Sequence, residues 1–330
     1  MEDEDYQAIR AHIDPHVHCR DFGQSYKATI RTTMELARSQ GVIAICDMPN
    51  TDPPITSREL VDMRLKLAEE EGAIDGYYIY VGLTADPKQI AEAVDIFDSN
   101  PRVVGMKLYA GTSTGSLAVT KKEEQSRIYE ELARLGYKGI VAVHCEKEDM
   151  FDMHAWNPSR PSTWNIARPP SAEVESVREQ ITMVATSGFK GILHVAHVST
   201  PGAVETAFAA KKNMRITLGA TPHHLALSTS DMGGDDGIML KVNPPLREEK
   251  MVKRMRELLR LGMIDWIETD HAPHTIRDKT EKYMSGMRSL DGYSKFLNSL
   301  MRDGFSKEQV GALTYGNIKK VYTKVTSSHG

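Results

Sequence analysis

The stretch Asp14-Pro15-His16-Val17-His18-Cys19-Arg20-Asp21 sets two imidazoles on alternate positions, with a guanidinium two residues further on. Neutral imidazole ligates transition metals, and guanidinium matches a carboxylate with two parallel N–H donors. On an extended segment His16 and His18 share one face, as two ligands of a single ion must. The same spacing also occurs in half-buried strands with no ligand role, so it decides little alone. Its company decides more. Lys107 in "VVGMKLY", His144 in "VAVHCE", His197 in "LHVAHVS" and Asp270 in "ETDHAPH" each stand near the end of an apolar, β-branched run. Histidines with a carboxylate suit a zinc-like ion. An aspartate beside such an ion can take a proton from water and pass it to a leaving group, or it can simply cap a following helix. Lys107 is the odd member, because an unpaired ammonium among apolar neighbours and metal cations is strongly disfavoured. Capture of CO₂ would turn its amine into a carbamate able to bridge two metals. The structural alternative is a lysine paired with a carboxylate or reaching solvent along its stem.

These residues need a scaffold that delivers strand ends to one place. Strand-like segments occur at 11–18, 42–49, 76–83, 103–110, 140–146, 192–199, 215–221 and 264–270. Helical periodicity falls between them, near 25–39, 57–71, 87–98, 122–135, 172–187, 201–212 and 247–261, with an eighth segment near 288–301. Ser57, Thr120 and Ser171 are the expected N-caps of three of these helices. Eight β-then-α units predict an α/β fold, a parallel (β/α)₈ TIM-type barrel of the metal-dependent hydrolase kind, whose chemistry sits at the carboxyl ends of the strands. The longest irregular pieces, 147–170 and 222–246, are expected to be functional loops.

Composition removes several classes. The 330 residues are 40% hydrophobic and 26% charged, with 41 Lys+Arg against 45 Asp+Glu and a net charge of −4, so no basic surface for nucleic acid is expected. No apolar run approaches the roughly 20 residues of a membrane helix. The acidic start "MEDEDYQAIR" does not read as a secretory signal. Cys19, Cys46 and Cys145 are scattered and form no CxxC pair, which fits a reducing compartment, so a cytoplasmic location is expected. A homodimer is the default assembly.

Taken as a set, the motifs resemble the dihydroorotase family of cyclic amidohydrolases, in the amidohydrolase superfamily. They run in that family's order: "DPHVHCRD", "DMPNTDPP", "GMKLYAGTST", "VAVHCE", "LHVAHVST", "TPHHL", "VNPPLR" and "ETDHAPH", between residues 14 and 274. The resemblance implies a binuclear zinc (Zn2+) centre. One ion would be held by His16, His18, carboxylated Lys107 and Asp270, the other by Lys107, His144 and His197, with a hydroxide between them. It implies that Asp270 serves as general base and then as acid to the ring nitrogen. The reaction implied is the reversible conversion of N-carbamoyl-L-aspartate to L-dihydroorotate, a step of de novo pyrimidine biosynthesis. It also implies that Arg20, Asn50 and His274 bind the free carboxylate of this small-molecule substrate, and that Asn243 contacts its ring. Read without the resemblance, Asn50 and Asn243 are turn residues near prolines. Many relatives add strands before the HxH pair and after the last barrel helix, forming a side β-sandwich. Here 15 residues precede His16 and 56 follow His274. The expectation is therefore one barrel domain over 1–330, with little or no accessory β-sandwich. One bacterial branch replaces the bridging lysine by aspartate; Lys107 points to the carbamate form.

Two other readings stay open. Allantoinases and hydantoinases share the metal cage, although Arg20, Asn50 in "MPNT" and "VNPPLR" fit the dihydroorotase pattern better. A non-catalytic scaffold relative would ordinarily have lost ligands, and all six candidates are present here. Cys19 and Cys145, each following a candidate ligand, should face the helices as core residues. The loop 110–116 lacks a GK[ST] ending and reads as substrate-facing rather than phosphate-binding. His223 and His224 should lie near the mouth without being ligands, and His194 should face away from the site. His12, His154 and His329 read as structural or exposed.

Overall fold

The computed structural model describes residues 11–113 and 115–325; His329, Thr114 and the acidic N-terminal segment lie outside them. Eight strands run β1 (His12–Val17), β2 (Val42–Asp47), β3 (Tyr77–Gly82), β4 (Val103–Tyr109), β5 (Ile140–His144), β6 (Ile192–Val195), β7 (Ile216–Ala220) and β8 (Trp266–Ile267). Their order in the sheet is their order in the chain, and every pairing is parallel. A parallel bridge between Val17 and His271, with His18 N–H donating to the His271 carbonyl at 2.8 Å, brings the last strand's extension against the first. The result is a (β/α)₈ barrel, and among the described residues every named strand belongs to this one sheet.

The connecting helices are α1 (Ile30–Ser39), α2 (Arg58–Glu70), α3 (Pro87–Ser99), α4 (Lys122–Arg134), α5 (Pro170–Ser187), α6 (Pro201–Ala210), α7 (Glu249–Arg260) and α8 (Tyr293–Arg302). Parallel strands joined by helices bury both faces, which is why these strands read as nearly continuous apolar runs. One core lies between strands and helices, where Ile45, Val81, Leu108, Val143 and Leu218 pack with Ile30, Val61, Ile90, Ile128 and Val204. A second fills the barrel, with Ala44, Cys46, Tyr80, Val104, Ala142 and Trp266. Cys19 and Cys145 belong to the outer core, as strand alternation requires.

Three helix starts differ from expectation. The first helix begins at Ile30, not near 25, because the Thr29 hydroxyl caps the Thr32 N–H (3.2 Å) and the Asp21 carboxylate accepts from the Ile30 N–H (2.5 Å). Ser57 does cap α2. Thr120 and Ser171 are not caps: α4 opens after Lys121, and Pro170, with its preset φ, starts α5 one residue before Ser171. The chain after α8 had no expected role. It returns beneath the barrel, where Ile318, Tyr322 and Val325 pack on Ile13, Val104, Ile140 and Ile192 near the starts of their strands. The Tyr80 and Tyr322 hydroxyls meet at 2.7 Å there, and Thr314 reaches His12 Nδ1 at 2.8 Å. The barrel is thus stoppered at one end and open for chemistry at the other.

Candidate metal centre

His16 and Lys107 end up inside the barrel mouth because both lie on inward-facing positions of β1 and β4. His18, His197 and Asp270 stand just beyond their strands. His197 (φ 40°) and Asp270 (φ 47°) are left-handed, as is Arg20 (φ 65°). Non-glycine residues rarely adopt this region, and its recurrence around one site marks a functional constraint. His16, His18 and Asp270 each offer a ligand atom within 4.8 Å of the others'. Asp270 Oδ1 is 2.9 Å from His18 Nε2 and 3.5 Å from His16 Nε2. A second pair faces them: His144 Nδ1 is 3.3 Å from His197 Nε2, and the His197 ring centroid is 5.0 Å from that of His16. Lys107 is fully buried, and its Nζ has no hydrogen-bond partner.

Electrostatics suits this set to cations. Burial, reinforced by Lys107, pushes the His16 imidazole down to about 4, and burial likewise lowers His144 and His197. These rings are therefore neutral near pH 7, with lone pairs to share. Burial would raise the Asp270 carboxyl, but the His18 hydrogen bond and nearby His16 hold it well below the usual carboxylate range.

The walls of the site are built by carboxylates that periodicity could have flagged but that were read past. Glu268 shares the Asp270 face, two residues earlier, and lies beneath the histidines. Glu146 shares the His144 face; its Oε2 lies 3.0 Å from His144 Nε2, and it is held by Arg168. Asp14 ties β1 to the β8 extension, accepting from the Thr269 N–H (3.1 Å) and hydroxyl (2.5 Å) and from the His16 N–H (3.2 Å). One expectation fails. His194 does not face away: it points into the barrel, with Nε2 at 2.9 Å from Glu268 and Nδ1 at 3.1 Å from the Thr217 hydroxyl. Counting alternation back from His197 misplaces it, because the left-handed turn at His197 breaks the two-residue period.

Arg20, Asn50 and Asn243 line one cavity with Ser113, Asp270 and Gly286. Arg20 is buried; its Nε donates to the Pro273 carbonyl (3.1 Å), Nη2 lies 3.2 Å from His274 Nε2, and Nη1 has no partner. Asn50 Oδ1 is 2.7 Å from His18 Nδ1, and Asn243 Oδ1 accepts from Trp164 Nε1 at 3.0 Å. His223 and His224 stay outside the cluster. His223 Nδ1 lies 3.1 Å from the Ser289 hydroxyl, and His224 Nε2 donates to the Pro244 carbonyl at 2.9 Å. His12 is buried and His154 exposed.

A parallel barrel with neutral histidines and a depressed aspartate gathered at its mouth defines a metal-dependent hydrolase of the amidohydrolase class. No protein-family model matches the chain. A dihydroorotase of Halobacterium salinarum is 30% identical over 330 residues, covering 98% of this chain and 74% of that protein. A second, of Thermococcus kodakarensis, is 34% identical over 283 residues, covering 84% of this chain and 59% of that protein. The chain belongs to the dihydroorotase family. It spans less than two thirds of the second relative's length. Among solved structures, the L-hydantoinase of Arthrobacter aurescens aligns with a TM-score of 0.81 at 23% identity, over 94% of this chain and 70% of that one. A dihydroorotase from Campylobacter jejuni aligns with a TM-score of 0.71 at 19% identity, over 95% and 83%. At these identities the alignments speak to the fold. Family membership implies a metal cofactor and a small-molecule substrate. Among the described residues no helix is long and apolar enough to cross a membrane.

Proposed function

We propose that this chain interconverts N-carbamoyl-L-aspartate and L-dihydroorotate at two zinc ions, as a single catalytic barrel. The observation that carries this reading is the adjacency of two incomplete sets of polar groups. One is the converging set His16, His18, Lys107, His144, His197 and Asp270, in which the lysine Nζ has no partner. The other is Arg20, which lines the cavity that Asp270 also lines and whose buried Nη1 has no partner. The donor set fits the metals: buried nitrogen and carboxylate ligands, with burial holding the His16, His144 and His197 rings down. His16, His18, Lys107 and Asp270 would hold one ion, and Lys107, His144 and His197 the other, with Lys107 carboxylated. When bound, the ions lower the pKa of water and polarise the amide carbonyl under attack.

The remaining chemistry belongs to the chain. Asp270, ionised at neutral pH, takes the proton of the attacking water and delivers it to the ring nitrogen as the C–N bond breaks. In the cyclising direction it removes a proton from the carbamoyl nitrogen. Arg20 and His274 receive the substrate's free carboxylate, which a guanidinium binds bidentately. Asn50 does double duty, lining the cavity and holding His18 by its Nδ1. Asn243, held by Trp164, would contact the ring from the "VNPPLR" side. The three buried free thiols support a reducing, cytoplasmic setting, and a homodimer is the default assembly.

Assaying dihydroorotate, carbamoyl aspartate, allantoin and hydantoin side by side tests the assignment. Turnover of the first two alone is expected, and preference for allantoin or hydantoin would replace it with another cyclic amidohydrolase. Arg20→Met should raise KM roughly 100-fold, the worth of a charge-assisted hydrogen-bonded pair, with zinc content unchanged. Unaltered KM and kcat would remove Arg20 from carboxylate binding.

A further inference from the structure

Glu268 is a buried carboxylate with no role in the scheme above, yet it touches both halves of the centre. Its Oε2 accepts from Trp266 Nε1 and from His194 Nε2, each at 2.9 Å. Its Oε1 accepts from the His197 main-chain N–H at 2.6 Å and lies 3.5 Å from His16 Nδ1. The fold reserves space for it: a Cβ on Gly219 of β7 would sit 2.3 Å from the Glu268 carboxylate carbon. Each oxygen receives a group that can only donate, the His197 main-chain N–H on Oε1 and the Trp266 indole N–H on Oε2, so both oxygens serve here as acceptors.

That one-way character has consequences for both rings. His194 Nε2 donates to that carboxylate, and its Nδ1 lies 3.1 Å from the Thr217 hydroxyl. A neutral His16 has a single ring proton. Placed on Nδ1 it faces Glu268; placed on Nε2 it would turn the Nδ1 lone pair against Oε1, 3.5 Å away. The first arrangement frees Nε2 on the side of Asp270, 3.5 Å away, where a ligand atom is needed. On the other half, the hydrogen bond to the His197 N–H holds the backbone at the residue whose φ is 40°. Carboxylates behind ligating histidines commonly fix tautomer and orientation in this way.

We propose that Glu268 is a positioning residue that presets His16 and His197 from beneath, so that both halves of the centre are ligand-ready before any ion binds. The proposal rests on the reading of this site as a metal centre. Glu268→Gln keeps the shape but offers one acceptor oxygen and one amide donor to partners that all donate. Zinc affinity of the full-length variant, measured by chelator competition with circular dichroism as the folding check, should fall about 10- to 100-fold. The Co²⁺-substituted variant should show an altered visible absorption band. Affinity and band unchanged in a folded variant overturn the proposal.

A second measurement needs no variant to fold. In chelator-stripped wild-type protein labelled with ¹⁵N-histidine, His16 should be the Nδ1–H tautomer; the Nε2–H tautomer would overturn the proposal by itself. Wild-type protein that takes up no zinc at all would instead sink the metal reading, a separate outcome.

Discussion

Asp270→Ala is expected to lower kcat in both directions by about 10³-fold, within the range of a positioned acid–base group, while zinc content stays near the wild-type value. Its Oδ1 lies 2.9 Å from His18 Nε2 and 3.5 Å from His16 Nε2, so the carboxylate stands among the candidate ligands rather than behind them. Its ionised state is secured by those neighbours, so it would enter each cycle as a base without waiting for deprotonation. The alanine variant still presents His16, His18 and Lys107 to the same ion, which is why loss of rate and loss of metal should separate. Asp270→Asn sharpens the test: it preserves shape, accepts hydrogen bonds through one oxygen and cannot accept the proton. Steady-state rates with dihydroorotate and with carbamoyl aspartate, beside metal analysis of the same samples, decide the matter. Activity above a tenth of wild type in a zinc-loaded variant would assign the proton transfers to another group.

The legible parts of this molecule are those governed by a fixed period. Parallel strands buried on both faces leave apolar runs, so all eight were visible. Just past the ends of β1 and β5 the two-residue alternation sent Cys19 and Cys145 outward, as found. What escaped falls into four physical kinds. Glu146 and Glu268 share a face with His144 and Asp270, but a glutamate reads as surface until its buried donors are known. His194 was misplaced because one left-handed residue, His197, resets the alternation. The contact of Arg20 with His274 spans 254 positions and depends on the turns after β1 and β8, whose conformations no local pattern encodes. The segment stoppering the barrel has too short a set of helices to show a clear amphipathic period.

Lys107→Ala carries the other large expectation, and its argument starts from burial. The Lys107 side chain is sealed, its Nζ lies 5.0 Å from the Tyr109 ring centroid, and no acceptor reaches it. Burial pushes its ammonium down to about 8, although Asp270 and Glu268 pull the other way. A fraction of the side chain is therefore free amine near neutrality, the form whose nitrogen could attack CO₂; an N–C bond would form, one proton would leave, and an anionic carbamate would result. Such an anion would supply what the site otherwise lacks, a two-oxygen ligand between the His16–His18 side and the His144–His197 side. Without it the variant should retain at most one zinc. Losing several kcal/mol of metal-derived transition-state stabilisation corresponds to roughly 10³-fold or more in rate. Acetate or propionate should restore part of both, since a small carboxylate can enter the vacated volume. In the wild type stripped of metal, recovery with zinc at fixed dissolved CO₂ should be fast above pH 8 and slow roughly tenfold for each unit below it, following the amine fraction. A Lys107→Ala protein that binds its full zinc complement and turns over normally, or a wild type whose recovery ignores CO₂, would leave the lysine as a buried structural group and require a different ligand between the two halves.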